Sequence, residues 1–167
     1  MKTQRTEYME RIMEAINLCV KLHGDQLDKC GQPYWIHPFT VAMTNFTDRD
    51  EPEQLSYVLV GLLHDVLEDT TVTLEELLSF IKLTDSEIEA LKLLTRDNET
   101  AYDEYIDHII DSNNKIAMMV KMADLYHNSA LHRFEEAGIQ VTDKDIARCD
   151  KYNSAFGSLY SAMSEVM

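Results

Sequence analysis

A histidine and an aspartate stand side by side at His64-Asp65, and a second acidic pair, Glu68-Asp69, follows one helical turn later. The run Leu62-Leu63-His64-Asp65-Val66-Leu67-Glu68-Asp69 closes the most hydrophobic segment of the chain. On a continuous helix His64 and Glu68 share one side, as do Asp65 and Asp69. Four ionisable groups then line the flank of an apolar helix, and carboxylates shielded from water need a cation. A divalent metal ion is the obvious one. Gly61 projects close to the same side as His64, leaving room for a ligand or a neighbouring backbone.

A second segment repeats the design. Ile116, Met119, Val120 and Ala123 form an apolar stripe, with Asp124 and Asn128 one turn apart on its margin. Together with His37 upstream, the chain offers two imidazoles (His37, His64) and two carboxylates (Asp65, Asp124) from three separate elements. A mixed nitrogen and oxygen set of this kind suits octahedral Mn²⁺, Fe²⁺, Co²⁺ or Mg²⁺ better than a closed structural zinc site. Such an ion lowers the pKa of bound water and neutralises phosphoryl oxygens, while a neighbouring carboxylate handles the proton. The chemistry to expect is metal-dependent hydrolysis of a phosphate ester or anhydride.

The elements that must position these residues are helices. Apolar residues recur at three- and four-residue steps almost throughout, and alternating strand patterns are nearly absent. The spacing predicts helices over about 8–22, from His37-Pro38 to about Phe46, and from Asp50-Glu51-Pro52 through Val66. Capping-box patterns at Thr73-x-x-Glu76 and Thr84-x-x-Glu87 open two more, to about Ile81 and Leu94. Further helices are expected over about 101–110 and 114–132, and a last one opened by Thr142-x-x-Asp145. The expected fold class is all-α, one domain over residues 1–167 with the metal site between helices.

Composition narrows the function. Fifteen Lys and Arg against 30 Asp and Glu give a formal net charge of −15, which repels nucleic-acid polymers and anionic membranes. A small anion can bind only where a metal ion and a few local cations reverse the potential. Three scattered cysteines, Cys19, Cys30 and Cys149, with no C-x-x-C pair, read as reduced thiols of a cytoplasmic protein. The start reads directly into a helical pattern rather than a signal-peptide core, and no apolar run is long enough to span a bilayer. Nothing in the pattern specifies an oligomer.

Three ordered motifs carry a family resemblance. The segment His23-x-x-Gln26…Gly31-Gln32-Pro33-Tyr34-x-x-His37-Pro38 resembles the opening motif of RelA/SpoT-type alarmone hydrolases, within the HD superfamily of metal-dependent phosphohydrolases. Leu63-His64-Asp65-Val66-Leu67-Glu68-Asp69-Thr70 is similar to their central motif, and Val120 to Asn128 to their third. Leu94-Thr95-Arg96, Tyr102-x-x-Tyr105-Ile106 and Thr142-x-Lys144-Asp145 also look like small stand-alone members, so the resemblance runs from about Glu7 to the end. It implies His37, His64, Asp65 and Asp124 as ligands of a divalent ion, typically Mn²⁺. Glu68 and Asp69 become the acidic pair that orients or activates water, Asn128 faces the sugar or phosphate, and Lys29 offers charge to a phosphate. The implied reaction removes the 3′-pyrophosphate from (p)ppGpp.

The chain also departs from that pattern. Asp28 stands where these hydrolases usually carry an arginine beside the guanine, and Leu125 and Ala130 replace two further arginines. Losing three cations leaves open an HD-type nucleotide phosphatase with another substrate. A non-catalytic nucleotide-binding module that keeps its metal as a structural pin is a third reading, against which the intact Glu68-Asp69 pair argues. Tyr34-Trp35 reads either as a base-stacking pair or as a plug for the core. His23 is either a hydrogen-bonding site residue or a structural helix-terminal one, and His127 is expected to be buried and satisfied against the Ile116–Val120 stripe. His108 and His132 read as surface residues, and Arg133, Lys144, Arg148 and Lys151 either as phosphate-binding charge near the last helix or, the commoner role, as a solvated helix face.

Overall fold

The capping signals written in the sequence close as expected. In a computed structural model that describes residues 4–44 and 52–166, the Thr73 hydroxyl accepts the Glu76 N–H and the Glu76 carboxylate accepts the Thr73 N–H. Thr84 and Glu87 do the same. These boxes satisfy helix-end donors that would otherwise be left without partners. They start α5 (Leu74–Phe80) and α6 (Asp85–Leu94). Thr142 and Asp145 make the looser version, with the Asp145 carboxylate accepting from the Thr142 N–H and hydroxyl. This opens α10 (Asp143–Val166).

The other helices are α1 (Gln4–His23), α2 (Ile36–Thr44), α3 (Pro52–Leu63), α4 (Val66–Asp69), α7 (Tyr102–Asp111), α8 (Lys115–Asn128) and α9 (His132–Glu136). Among the described residues there is no β-strand, only an isolated bridge between Leu27 and Pro33. The fold is all-α. Phe46 and Asp50-Glu51, at the expected end of α2 and start of α3, lie outside the described residues.

Two expected helices are broken. The helix predicted to run from Pro52 past His64 stops at Leu63; His64 and Asp65 form a turn, and α4 restarts at Val66. The helix predicted over 114–132 ends at Asn128 and resumes as α9 after a turn. Both breaks fall beside the residues singled out for chemistry. Periodicity does not register them, because the apolar spacing continues across each turn.

The core forms where α8 packs against α2, α3, α6 and α10. Leu59, Leu62, Leu63, Met118, Leu125 and Leu159 are among its fully buried side chains. Glu87 is buried as well, accepting the Ser56 hydroxyl at 2.8 Å and pairing with Arg11, so one acid ties α6 to α3 and α1. A buried charge is tolerable when it is fully partnered in this way.

Gly61 serves helix packing rather than a ligand. A Cβ there would lie 2.9 Å from the Ala42 Cα and 3.1 Å from its nitrogen, so α3 and α2 touch backbone to backbone. That contact places His37 of α2 opposite the His64-Asp65 turn. Gly61→Ala is expected to destabilise the fold by about 1–3 kcal/mol through overpacking. Urea denaturation of the purified variant checks this, and a midpoint equal to that of the parent would contradict it.

Candidate metal centre

His64 is 3% exposed and presents one ring nitrogen to each of two environments. Its Nδ1–H donates to the Gly61 carbonyl at 2.8 Å, which fixes the tautomer and leaves the Nε2 lone pair bare. That Nε2 is buried without a hydrogen-bond partner, yet it lies 3.1 Å from Asp65 Oδ1 and 3.8 Å from Asp124 Oδ1. His37 Nε2 lies 3.3 Å from Asp65 Oδ2 and 3.1 Å from Asp124 Oδ1. Lone pairs of nitrogen and carboxylate oxygen that face one another at such distances repel unless a cation sits between them. Donor atoms of His37, His64 and Asp65 all lie within 4.8 Å of each other, a spacing that fits one ion, and Asp124 closes the set. The donor chemistry fits a divalent metal.

Without an ion, protons take its place. Burial opposes charge on His37, but its hydrogen bonds with Asp124 and Asp65 prevail and lift it to about 9. Burial opposes charge on His64 too, and the Asp65 and Asp124 carboxylates outweigh it, raising the group. Burial alone would raise Asp65, but the neighbouring His64 and His37 hold it down to about 2. Asp124 is likewise kept well below the usual carboxylate range against burial, by the Lys121 ammonium and both imidazoles.

Each of these side chains is oriented from behind. Asp124 Oδ2 accepts from Lys121 Nζ at 2.8 Å and Oδ1 from Asn128 Nδ2 at 2.6 Å. The Tyr34 hydroxyl lies 2.8 Å from Asp65 Oδ2 and 2.6 Å from Asp69 Oδ2, so Tyr34 bridges the two acids while its ring lines both cavities. Behind His37 stands His127, with 2.6 Å between their Nδ1 atoms and the rings stacked at 4.8 Å. Since His37 Nε2 faces the carboxylates, its Nδ1–H donates and His127 accepts. His127 is suited to accept: burial, then the nearby His37 and Arg133 charges, push it down to about 4. It is half-buried and packed on His37, not sunk against the Ile116–Val120 stripe as expected.

The remaining predicted residues fall around this cluster. Glu68 and Asp69 are exposed on α4; Glu68 Oε2 accepts the Arg96 N–H at 3.1 Å. Partial burial is the main cause of a rise in the Glu68 pKa above the ordinary glutamate value. Asn128 sits beside Asp124, and Lys29 is exposed on the 24–35 loop at the rim of a cavity. His23 is 1% exposed and bonds Gln26 at 2.9 Å, and Gln26 in turn donates to the Asp69 carbonyl, pinning that loop to α4. His108 and His132 are on the surface, as read.

Two adjoining cavities share Tyr34, His37, Asn128 and Tyr152 in their walls. The inner one, about 210 Å³, is lined by His37, His64, Asp65 and Asp124 with Glu68 and Asp69, and also by Arg96, Lys121 and Lys151. The outer one, about 270 Å³, is lined by Lys29, Arg133 and Arg148, with Asp28 its one acid among the lining residues. Arg133 and Arg148 thus border the cleft half-buried, Lys151 borders it while exposed, and Lys144 is exposed away from it. Sequence reasoning missed the role of Lys121 and the pairing of Arg133 with Asp28. The (i, i+3) spacing of Lys121 and Asp124 on a core helix was a usable signal for the first. The pairing had none, because Arg133 and Asp28 lie 105 residues apart.

An all-α bundle with an HD-like fold, built around two imidazoles and two aspartates, is the class these observations define. No family model matches the chain. Its likeness to known proteins is specific all the same. The chain is 38% identical over 71 residues, 42% of its length and 10% of the relative's, to a guanosine-3′,5′-bis(diphosphate) 3′-pyrophosphohydrolase of Aquifex aeolicus. Over 152 residues, 83% of the chain and 19% of the relative, it is 30% identical to a GTP pyrophosphokinase of Myxococcus xanthus. It therefore spans less than a fifth of the length of these curated relatives. The solved structure of a metazoan ortholog of SpoT, described as hydrolysing ppGpp, superposes with a TM-score of 0.63 at 21% identity, covering 91% of this chain and 84% of that one. The RelA/SpoT-type resemblance carried by the three motifs is matched by these similarities.

Two outcomes are expected. Ion binding must displace the protons that His37 and His64 hold, so metal affinity should rise with pH until His37 deprotonates, near pH 9. Calorimetric titration with Mn²⁺ across that range reads it; a flat profile would contradict the ligand set. His127→Ala removes the acceptor behind His37 and should weaken metal binding roughly 10–100-fold, measured by chelator competition.

Proposed function

We propose that the chain is a metal-dependent phosphohydrolase that removes the 3′-pyrophosphate from (p)ppGpp. One observation carries the substrate class: the metal cluster lies in a cleft with cations in both lobes. Arg96, Lys121 and Lys151 line the inner lobe and Lys29, Arg133 and Arg148 the outer. Six of the fifteen Lys and Arg residues are thus gathered at one cleft of a protein whose net charge is −15. A substrate with phosphate groups on both sides of its sugar matches that distribution. The similarity to curated (p)ppGpp 3′-pyrophosphohydrolases supports the same reading.

His37, His64, Asp65 and Asp124 hold the ion, for which Mn²⁺ suits the mixed nitrogen and oxygen set. An ion held there would supply a water of lowered pKa and neutralise phosphoryl oxygens. Glu68, at the mouth of the inner lobe with a raised pKa, takes the proton as water attacks the phosphorus next to the 3′-oxygen. The bond from that phosphorus to the ribose oxygen breaks, and the oxygen leaves as a hydroxyl on taking up a proton that Glu68 or solvent water returns. Products are pyrophosphate and a nucleotide with a free 3′-hydroxyl. Asp69 orients the water from beside Tyr34, and Lys121 holds Asp124 while adding positive charge to the lobe. Asn128 faces the sugar from the wall common to both lobes, and Lys29 meets a phosphate at the outer rim. The proposed setting is the cytoplasm, where Cys19, Cys30 and Cys149 remain the free thiols described here. Among the described residues no helix is long and apolar enough to cross a membrane.

A second reading, hydrolysis of another phosphorylated nucleotide at the same centre, is favoured by Asp28, whose carboxylate occupies the position of an expected arginine. Incubating the Mn²⁺-loaded protein with ppGpp and resolving the products separates the two. Pyrophosphate release, absent in Asp65→Ala, is expected; a metal-loaded protein inert on ppGpp but active on other nucleotides would establish the second. Glu68→Gln should lose roughly 10²–10⁴-fold in rate while keeping its metal. Metal lost together with the rate would make Glu68 a ligand instead.

A further inference from the structure

Asp28 is fixed before any substrate arrives. Its Oδ1 accepts the N–H groups of Cys30 and Gln32, both at 2.8 Å, while Gly31 takes the positive φ (74°) that closes the turn. Its Oδ2 pairs with Arg133 Nη2, so the carboxylate is committed on both oxygens. The Cys30 thiol donates to the Arg133 carbonyl at 3.5 Å, a second tie between the loop and α9. Arg133 Nη1 lies 3.4 Å from His127 Nδ1, which places the guanidinium over the outer side of the His37–His127 stack. A guanidinium has five N–H donors in a fixed fork, and these contacts leave several for the cavity that Arg133 lines.

We propose that Arg133, positioned by Asp28, is the residue that reads a phosphate group at the end of the substrate remote from the scissile bond. This rests on the reading of the cleft as a (p)ppGpp hydrolase site, in which that group is the 5′-phosphate. The aspartate that looks like a loss of charge in the sequence is the anchor for a cation delivered from another element. The charges of Asp28 and Arg133 cancel as a pair, but the guanidinium still offers a planar, directional fork to phosphate oxygens, which a lysine in the same place would not. Lys29 and Arg148 stand in the same wall as supporting charge, Arg148 being itself held by Asp145 at 2.8 Å.

The test compares two substrates with the same scissile bond, ppGpp and guanosine 3′-diphosphate, which lacks the 5′-phosphates. For Arg133→Gln, KM for ppGpp should rise roughly 10–100-fold with kcat nearly unchanged, while KM for guanosine 3′-diphosphate moves less than about threefold. Asp28→Asn keeps an oxygen for the two backbone N–H groups but loses the charge that holds Arg133; it should show the same selective rise, smaller in size. Arg133→Lys should recover part of the loss. An equal rise for both substrates, or none for ppGpp, overturns the proposal. If the parent protein hydrolyses neither, it is the hydrolase reading that has failed. Calorimetric binding of guanosine 5′-diphosphate then decides the role of Arg133 alone. Binding roughly tenfold or more weaker in Arg133→Gln supports it, and equal affinity, or no binding by the parent, overturns it.

Discussion

Two imidazole nitrogens and two carboxylates held face to face in a buried space cannot be left as they are. Their lone pairs repel unless protons on the imidazoles or a metal ion come between them. Much of the structure is built to hold them there. The Gly61–Ala42 contact brings α2 against α3, the His64-Asp65 turn aims two donors inward, and α8 presents Asp124 from the opposite wall. The Gly61 carbonyl and His127 fix the two imidazoles, while Lys121, Asn128 and Tyr34 fix the carboxylates. A centre positioned this closely needs little rearrangement when an ion binds.

Charge across the cleft follows from that centre. In the inner lobe Asp65, Glu68, Asp69 and Asp124 face three cations, Arg96, Lys121 and Lys151, and a divalent ion turns the balance positive. The outer lobe is positive already. An acidic protein thus offers one cleft of the opposite sign, and such focusing concentrates small anions while the remaining surface repels polyanions. Tyr102 and Tyr152 add to this: Lys151 Nζ lies 4.1 Å above the Tyr102 ring, which holds a flexible cation near the cleft.

Helices with their own caps were legible because the signal is local. Thr73, Thr84 and Thr142 announce helix starts through side chains three residues away, and apolar spacing identifies α1, α3 and α8 without long-range information. The residues of the cluster were legible too, as acids and histidines on the margins of apolar stripes. Breaks in α3 and α8 were not. The His64-Asp65 turn presents the His64 Nε2 towards Asp124, 60 residues on, and the turn after Asn128 brings Arg133 against Asp28. A sequence pattern carries no term for that.

Asp28 is the sharpest case. Read along the chain it is a negative charge where a positive one was expected; read in space it is the partner of Arg133. Residue types, helical periodicity and net charge are properties of the sequence, and they determined the all-α class and singled out the histidines and acids of the cluster. Which donors meet, which imidazole nitrogen is free, and where each cation points depend on contacts between residues tens to a hundred positions apart. Only the packing of α2, α3, α8 and α9 around the cleft decided those, because electrostatic and hydrogen-bond energies depend on separation in space and not along the chain.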